Sequence, residues 1–368
     1  MTENPAAERS QTAQTYPCDG CGARVEFVPG TALLRCPYCG HEQQVSSIDR
    51  DVREHPYEEL AELRVKERAP LAAHVLVCQK CGATSDSEAL SGRCQFCGSP
   101  LIADPAAGHQ IVPEAVLPFA VDRNGVRTAL RGWVKSRWFA PSSLKKVSEA
   151  ESLKGTYLPH WTYDAHTETD YTGQRGEHYW VTVTDTVTVN GQTQTRTRQE
   201  RKTRWHHASG RVQREFDDLL VPGTGRVDGG MLERLSPWPL KEAVAFQPEY
   251  LAGYDALRYD VEPDAGLETA KASTEPVIRS DCRADIGGDE QRVDSVHTTF
   301  SNITFKLMLL PVWLVCYLHA GRTYQVTINA RTGEVIGQRP YSPMKIAVAI
   351  LAALLVVALV VFWFVRSR

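Results

Sequence analysis

The chain has 368 residues, 42% of them apolar and 23% charged, which is the balance of a globular protein and enough length for two or three domains. A net charge of -3 excludes a protein that coats nucleic acid by bulk electrostatics, although a local basic patch is compatible with it. Ten cysteines are present, and eight of them fall in four Cys-x-x-Cys pairs before residue 98. That clustering is not the spread of a secreted disulfide framework, and it points to metal ligation in a reducing compartment.

Residues 1–15 are polar, lack an apolar targeting segment and read as a disordered leader. The first cysteine unit, residues 16–45, pairs Cys18 and Cys21 with Cys36 and Cys39. The second, residues 75–103, pairs Cys78 and Cys81 with Cys94 and Cys97. Spacers of fourteen and twelve residues leave room for a small hairpin between two knuckles, the zinc-ribbon arrangement. Glycine follows the second cysteine of every pair (Gly22, Gly40, Gly82, Gly98), where a tight turn calls for positive φ. Four thiolates would also hold an iron–sulfur cluster. With zinc, all four positions are filled by cysteine, so the expectation is two structural ions and no open site for catalysis. Residues 46–74, dense in charge, read as a solvated spacer with a short helix near Tyr57 to Arg68.

Residues 111–340 read as one mixed, strand-rich α+β domain. Val126, Leu130, Trp133 and Val134 recur at helical spacing. Tyr179, Val181, Val183, Val187 and Val189 alternate up to Asn190-Gly191, a hairpin signal that places Asp185 opposite Arg196. A helix is predicted over Glu262 to Arg283 with Leu267, Ala270 and Ile278 inward. A buried strand over Leu310 to Leu318 then pairs with Thr323 to Asn329. Leu-Pro-x-Trp occurs at Leu158 and again at Leu310, hinting at a duplicated strand-hairpin unit. Finally, residues 346–365 are twenty residues without a charge, about 30 Å as a helix, which predicts a transmembrane anchor. Lys345, Arg366 and Arg368 flank it on both sides, so charge gives no orientation; thiolate ligation favours a cytoplasmic N-terminal part.

Two further sets of residues invite chemistry. Arg196, Arg198, Lys202 and Arg204 would project from one face of a strand and meet phosphate, either nucleic acid or anionic lipid. The competing reading is a solvated edge strand, since no aromatics interleave with the arginines. His160, Asp164, His166, His178, His206 and His207 would form a metal or acid–base site only if the strands converge. Asp281, Asp285, Asp289 and Glu290 surround Gly287-Gly288 without calcium-loop spacing, and Cys282 and Cys316 read as core thiols. No Gly-x4-Gly-Lys-Ser/Thr, Gly-x-Ser-x-Gly or His-Glu-x-x-His motif occurs.

The stretches Val116 to Pro141, Tyr157 to Tyr179, Ile278 to Val293 and Leu309 to Ser342, with the cysteine pairs, resemble a family of uncharacterised bacterial zinc-ribbon membrane proteins. Members are often described as like primosomal protein N′ (replication factor Y), a helicase, although the nucleotide loop of a helicase is missing here. Some relatives resemble partners of SPFH-type membrane scaffolds and of phage-shock-type envelope maintenance. The resemblance implies recruitment at a membrane and supplies no catalytic residues. The expectation is a non-enzymatic, tail-anchored adaptor that holds membrane-associated partner proteins at the cytosolic face of a bacterial membrane. The alternatives are a nucleic-acid binder using the basic stripe and a hydrolase at the His/Asp set.

Overall fold

The computed structural model describes residues 17–23, 25–45, 50–66, 75–78, 84–86, 91–93, 100–104, 111–137, 153–189, 192–319, 322–337 and 343–367. In chain order, β1 (Glu26–Phe27), β2 (Leu33–Arg35) and β3 (Glu42–Gln44) form a small antiparallel sheet. Strand β4 (His55–Pro56) and helix α1 (Leu60–Lys66) follow. Strands β5 (Val75–Cys78), β6 (Thr84–Asp86), β7 (Ser91–Arg93) and β8 (Pro100–Asp104) make a second small sheet in the order β6-β5-β8-β7. The rest comprises β9 (Ala115–Val116), α2 (Arg123–Lys135), β10 (Lys154–Val189), β11 (Gln192–Pro222), α3 (Gly229–Arg234), β12 (Val244–Ala245), β13 (Asp255–Ala256), α4 (Pro263–Ile286), β14 (Glu290–His319), β15 (Arg322–Asn329), β16 (Val335–Gly337) and α5 (Pro343–Arg366). The mixed, strand-rich α+β expectation agrees with this architecture.

The large sheet runs β11-β10-β14-β15-β16, with β10 and β14 antiparallel at its centre. The two Leu-Pro-x-Trp segments lie side by side there, Leu158 opposite Leu310. The duplication they hint at is much deeper than four residues. Strand β9 pairs in parallel with β14 at Met308 and Leu309, and β13 pairs in the same way with β10 at Thr156 and Tyr157. Each short strand leads through a matching turn into a helix with an acid at the N-cap position, Asp122 for α2, whose carboxylate accepts from the Gly125 amide, and Glu262 for α4. The Trp161 indole donates to Val261 O at 2.8 Å, and the Trp313 indole donates to Val121 O at 2.9 Å. Trp161 meets Tyr259 edge-on, as Trp313 meets Phe119. The body is therefore two β-α-β-β units related by a local two-fold axis, each lending its first strand to the other.

The units differ in length beyond the joint. In the first, β10 continues 28 residues past Trp161 before the chain reverses at positions 190–191; in the second, β14 continues six residues past Trp313. The reversal agrees with the Asn-Gly signal, since Val189 pairs with Gln192, although the turn residues themselves lie outside the described residues. The long hairpin is backed by the first part of β14 and by α4, whose Ile278, Cys282 and Ile286 bury against Tyr171. Leu267, Ala270 and Ile278 point inward as the helical spacing predicts. Together these elements make an arm. From Trp161 to Val189 it measures about 90 Å at roughly 3.3 Å per residue.

Residues 50–66, read from sequence as a solvated spacer, pack onto the body. His55 and Pro56 pair with Phe305 and Thr304 of β14, and Leu60 joins a core cluster with Trp161 and Phe305. The charges of this segment are spent on contacts: Arg50 reaches Glu114, and Glu54 reaches Lys306.

Candidate metal centre and projecting arm

The first cysteine unit folds as its spacing demands. Cys18 and Cys21 sit on one turn, Cys36 and Cys39 on the turn between β2 and β3, and the two turns face each other. The Cys18 and Cys39 sulfurs are 3.5 Å apart, those of Cys21 and Cys36 3.6 Å, and all four lie within 4.8 Å of one another. A tetrahedral ion bound at about 2.3 Å sets neighbouring sulfurs about 3.8 Å apart, so the four thiols fit one metal ion and no disulfide. Gly22 and Gly40 take φ of 74°, and their amides close the knuckles on Cys18 O and Cys36 O. Hydrogen bonding from the Cys39 amide holds the Cys36 thiol down to about 6, while, against a backbone hydrogen bond from His41, the Cys21 and Cys18 thiols push Cys39 up to about 12.

This unit is not held on a leash. Cys18 and Cys36 are buried with Phe27 and Leu34 in the same apolar cluster as Phe119, Tyr157 and Trp313. The Phe27 amide donates to Ala252 O, the Gly30 amide donates to Phe119 O, and the Phe27 ring meets Tyr250 at 5.2 Å. The cysteine unit thus packs against the end of the sheet formed by β15 and β16. In the second unit, Cys78 ends β5 opposite Leu101 while Arg93 ends β7 opposite Pro100, so both strands stop at one level of β8. Cys81, Cys94, Cys97, Gly82 and Gly98 lie outside the described residues.

The basic stripe falls on the arm. Arg196, Arg198, Lys202 and Arg204 sit opposite Asp185, Val183, Tyr179 and Glu177, so their side chains share one face of the β10–β11 ribbon. Asp185 stands opposite Arg196 as predicted, but its carboxylate pairs diagonally with Arg198 at 3.0 Å. The aromatic missing between Arg196 and Arg204 comes from the neighbouring strand: Arg204 lies over the Tyr179 ring at 4.9 Å. On the opposite face Arg292 stacks on Trp205 at 3.8 Å, and Trp180 is 65% exposed. Trp205 lies across Gly176, where a Cβ would come within 3.0 Å of the ring.

The His/Asp set does not converge. His160 is buried between Leu158 and Trp238, and burial pushes its pKa down to about 4, so it is a neutral core residue. His166 lies six residues along the same strand, about 20 Å away. His206 pairs with Arg175, a further nine positions along β10 and on the other face of the sheet. A hydrolase built on these histidines is ruled out by that spacing. The acids around Gly287-Gly288 bind the layers of the arm together. Asp281 takes two hydrogen bonds from Arg214, Asp285 accepts from Tyr171, and Asp289 accepts from the His178 amide. His178 itself reaches Glu290 at 2.8 Å. Cys282 is fully buried, the core thiol expected; Cys316 stands in β14 opposite Gln325.

Asp164 does have charged company, which the sequence did not reveal. It sits at a bulge between β11 and β14, flanked on those strands by Asp218 and Asn302, both with positive φ. The Lys306 ammonium bonds Glu54 at 2.5 Å and Asp218 at 2.7 Å. Burial and then the hydrogen bond to Glu54 push the Asp164 carboxyl up to about 7, while that same hydrogen bond holds Glu54 down to about 2. Lysine already supplies the cation these carboxylates need, so the cluster reads as a clasp fixing residues 50–56 to the sheet.

Helix α5 is apolar on every side. Met344–Arg366 has a mean hydropathy of 3.2 and none of it is buried against the body, so it is long and apolar enough to cross a membrane.

No family model and no solved structure matches the chain. A curated relative does: the chain is 26% identical over 334 residues to the uncharacterized protein YdjG of Bacillus subtilis (strain 168). The similarity spans 90% of this chain and 92% of that one.

Proposed function

We propose that the chain is a membrane-tethered, zinc-braced adaptor without enzymatic activity. In this reading α5 anchors it, the cysteine units hold two structural zinc ions, and the domains stand in the cytoplasm, where thiolates stay reduced. The arm presents a docking face to an acidic partner protein at the membrane. One observation carries the reading: the arm ends in a two-stranded ribbon whose exposed basic face has no layer packed over it among the described residues. That face carries Arg196, Arg198, Lys202 and Arg204 against Glu177, Asp185 and Glu200, with Arg198 paired to Asp185 and Glu200 and Arg201 on the opposite face, although the chain as a whole is acidic. A ribbon of that length contributes no core, and it costs conformational entropy to order. Such a feature is explained by what it touches.

The test is site-specific photo-crosslinking in membranes. A photoreactive residue at Lys202, which is exposed, should give an adduct with a different protein of acidic surface; one at Arg234, exposed on α3, should not. Equal labelling from both positions, or none from either, would end the adaptor reading.

A second reading keeps a specific observation in its favour. Each face of the ribbon sets a cation on a ring, Arg204 over Tyr179 on one and Arg292 over Trp205 on the other, the residue types that single-stranded nucleic acid uses. It requires binding whose affinity falls steeply with salt and weakens on Arg204→Ala. A flat salt response rejects it.

A further inference from the structure

The arm ribbon has two edges, and they are not alike. Strand β11 is guarded along its outer edge by Arg196, Arg198, Arg201, Lys202 and Arg204, the charges with which proteins block edge-to-edge pairing. The other edge belongs to β10. From Lys154 to Gly176 it is covered by β14, and from residue 177 to Val189 no strand covers it among the described residues. This uncovered part reads Glu177, His178, Tyr179, Trp180, Val181, Thr182, Val183, Thr184, Asp185, Thr186, Val187, Thr188, Val189, with high β-propensity, no lysine and no proline. Its two acids are already neutralised, Glu177 by Arg175 at 3.3 Å and Asp185 by Arg198 at 3.0 Å.

The hydrogen bonding along this edge fixes what it can accept. Asp289 follows the edge one step beyond β14: its amide donates to Gly176 O and its carboxylate caps the His178 amide at 2.7 Å. The backbone groups of even-numbered residues therefore face outward here, while the odd-numbered ones serve the ladder with β11. No register shift interrupts the pairing from Ala165 to Val189, so the alternation holds to the end of the strand. Trp180, Thr182, Thr184, Thr186 and Thr188 are left presenting an N–H and a C=O each.

We infer that the open edge of β10 pairs with the same edge of a second copy of this chain, antiparallel about a two-fold axis at Thr184. Among the registers available, this one uses all five outward residues. Thr184 meets Thr184 of the second copy, Thr182 meets position 186, and Trp180 meets position 188. About ten hydrogen bonds result, the number typical of a stable protein interface. The joint continues the edge on which β14 already pairs, and it turns two marginal ribbons into one four-stranded sheet. The basic face of β11 remains on the outside.

The experiment uses the full-length chain in detergent. Sedimentation should show a dimer that becomes a monomer in Thr182→Lys/Thr184→Lys, whose exposed positions touch no core, with unchanged circular dichroism and metal content. Thr184→Cys should form an intermolecular disulfide on mild oxidation, because a hydrogen-bonded antiparallel pair sets Cα atoms about 5.5 Å apart, within disulfide range. Thr197→Cys, directly across the same ribbon on β11, should not. A wild-type chain monomeric at every concentration would overturn the inference. So would a dimer that survives the double lysine change, or crosslinking at Thr197 without crosslinking at Thr184.

Discussion

The two halves of the body share a joint and little else. At the joint, Trp161 and Trp313 make the same indole bond, and the Leu257 and Leu117 amides make matching bonds to Tyr157 O and Leu309 O. The Gly223 and Ala330 amides likewise bond Pro159 O and Pro311 O. Away from it, the first unit's hairpin runs 28 residues past its tryptophan against six in the second. The second unit has grown the helix and strand that back this hairpin. The metal centre leans on one side, against Phe119 and Trp313. The comparison teaches that the joint is the stable frame and the extensions are where the chain has specialised.

The largest expected effect breaks that symmetry from the metal side. Cys36→Ser should cost one equivalent of bound metal by elemental analysis, and with it the roughly 10–16 kcal/mol that such a site contributes to folding a small unit. Hydrogen exchange should then rise first around Phe119 and Trp313, while the joint around Trp161 and Tyr259 keeps its protection. Equal loss on both sides would mean that the cysteine unit supports the whole body evenly. A smaller effect probes the joint itself. Trp161→Phe and Trp313→Phe each leave a buried carbonyl unpaired, at about 1–3 kcal/mol by chemical denaturation. The two should agree within about 1 kcal/mol if the halves are equivalent.

The smallest effect lies in the clasp, which has no counterpart in the other half among the described residues. Asp164 binds its proton up to about pH 7 in the folded chain and only to about 3.8 when unfolded, so its contribution to stability is lost as pH rises through 7. Glu54 works in the opposite sense: its contribution is present above about 4.5 and is lost as pH falls toward 2. Asp164→Asn should flatten the thermal midpoint between pH 5 and pH 8 and raise it at pH 8. An unchanged slope would place the titration elsewhere.

Much of this was legible in the sequence where a local rule applies. The cysteine spacing gave the knuckles, Asn190-Gly191 gave the reversal, and the inward face of α4 followed from Leu267, Ala270 and Ile278. What escaped is non-local. The stretch from Asp164 to Arg175 is polar on both faces, so no alternation marks its continuation of β10. Its partners are Arg211 for Asp170, Asp285 for Tyr171 across to α4, and Ser295 for Thr172. The clasp needed Glu54, Asp164, Asp218 and Lys306 together, residues spread over more than two hundred positions. The duplication had a second signal that was available: Leu117, Phe119, Val121 and Asp122 match Leu257, Tyr259, Val261 and Glu262, each set leading into its helix.

The central claim, that the arm presents its tip to a partner while the body carries the fold, is tested most directly by shortening the arm. His178 and Thr203 stand opposite each other, so joining them through Asn-Gly in place of residues 179–202 preserves the register below. We expect a thermal midpoint within about 3 °C of wild type, unchanged metal content and membrane association, and complete loss of the partner adduct, read from a photoreactive residue at exposed His206, three positions from the new turn. Collapse of the fold, or an adduct of undiminished yield, would contradict it.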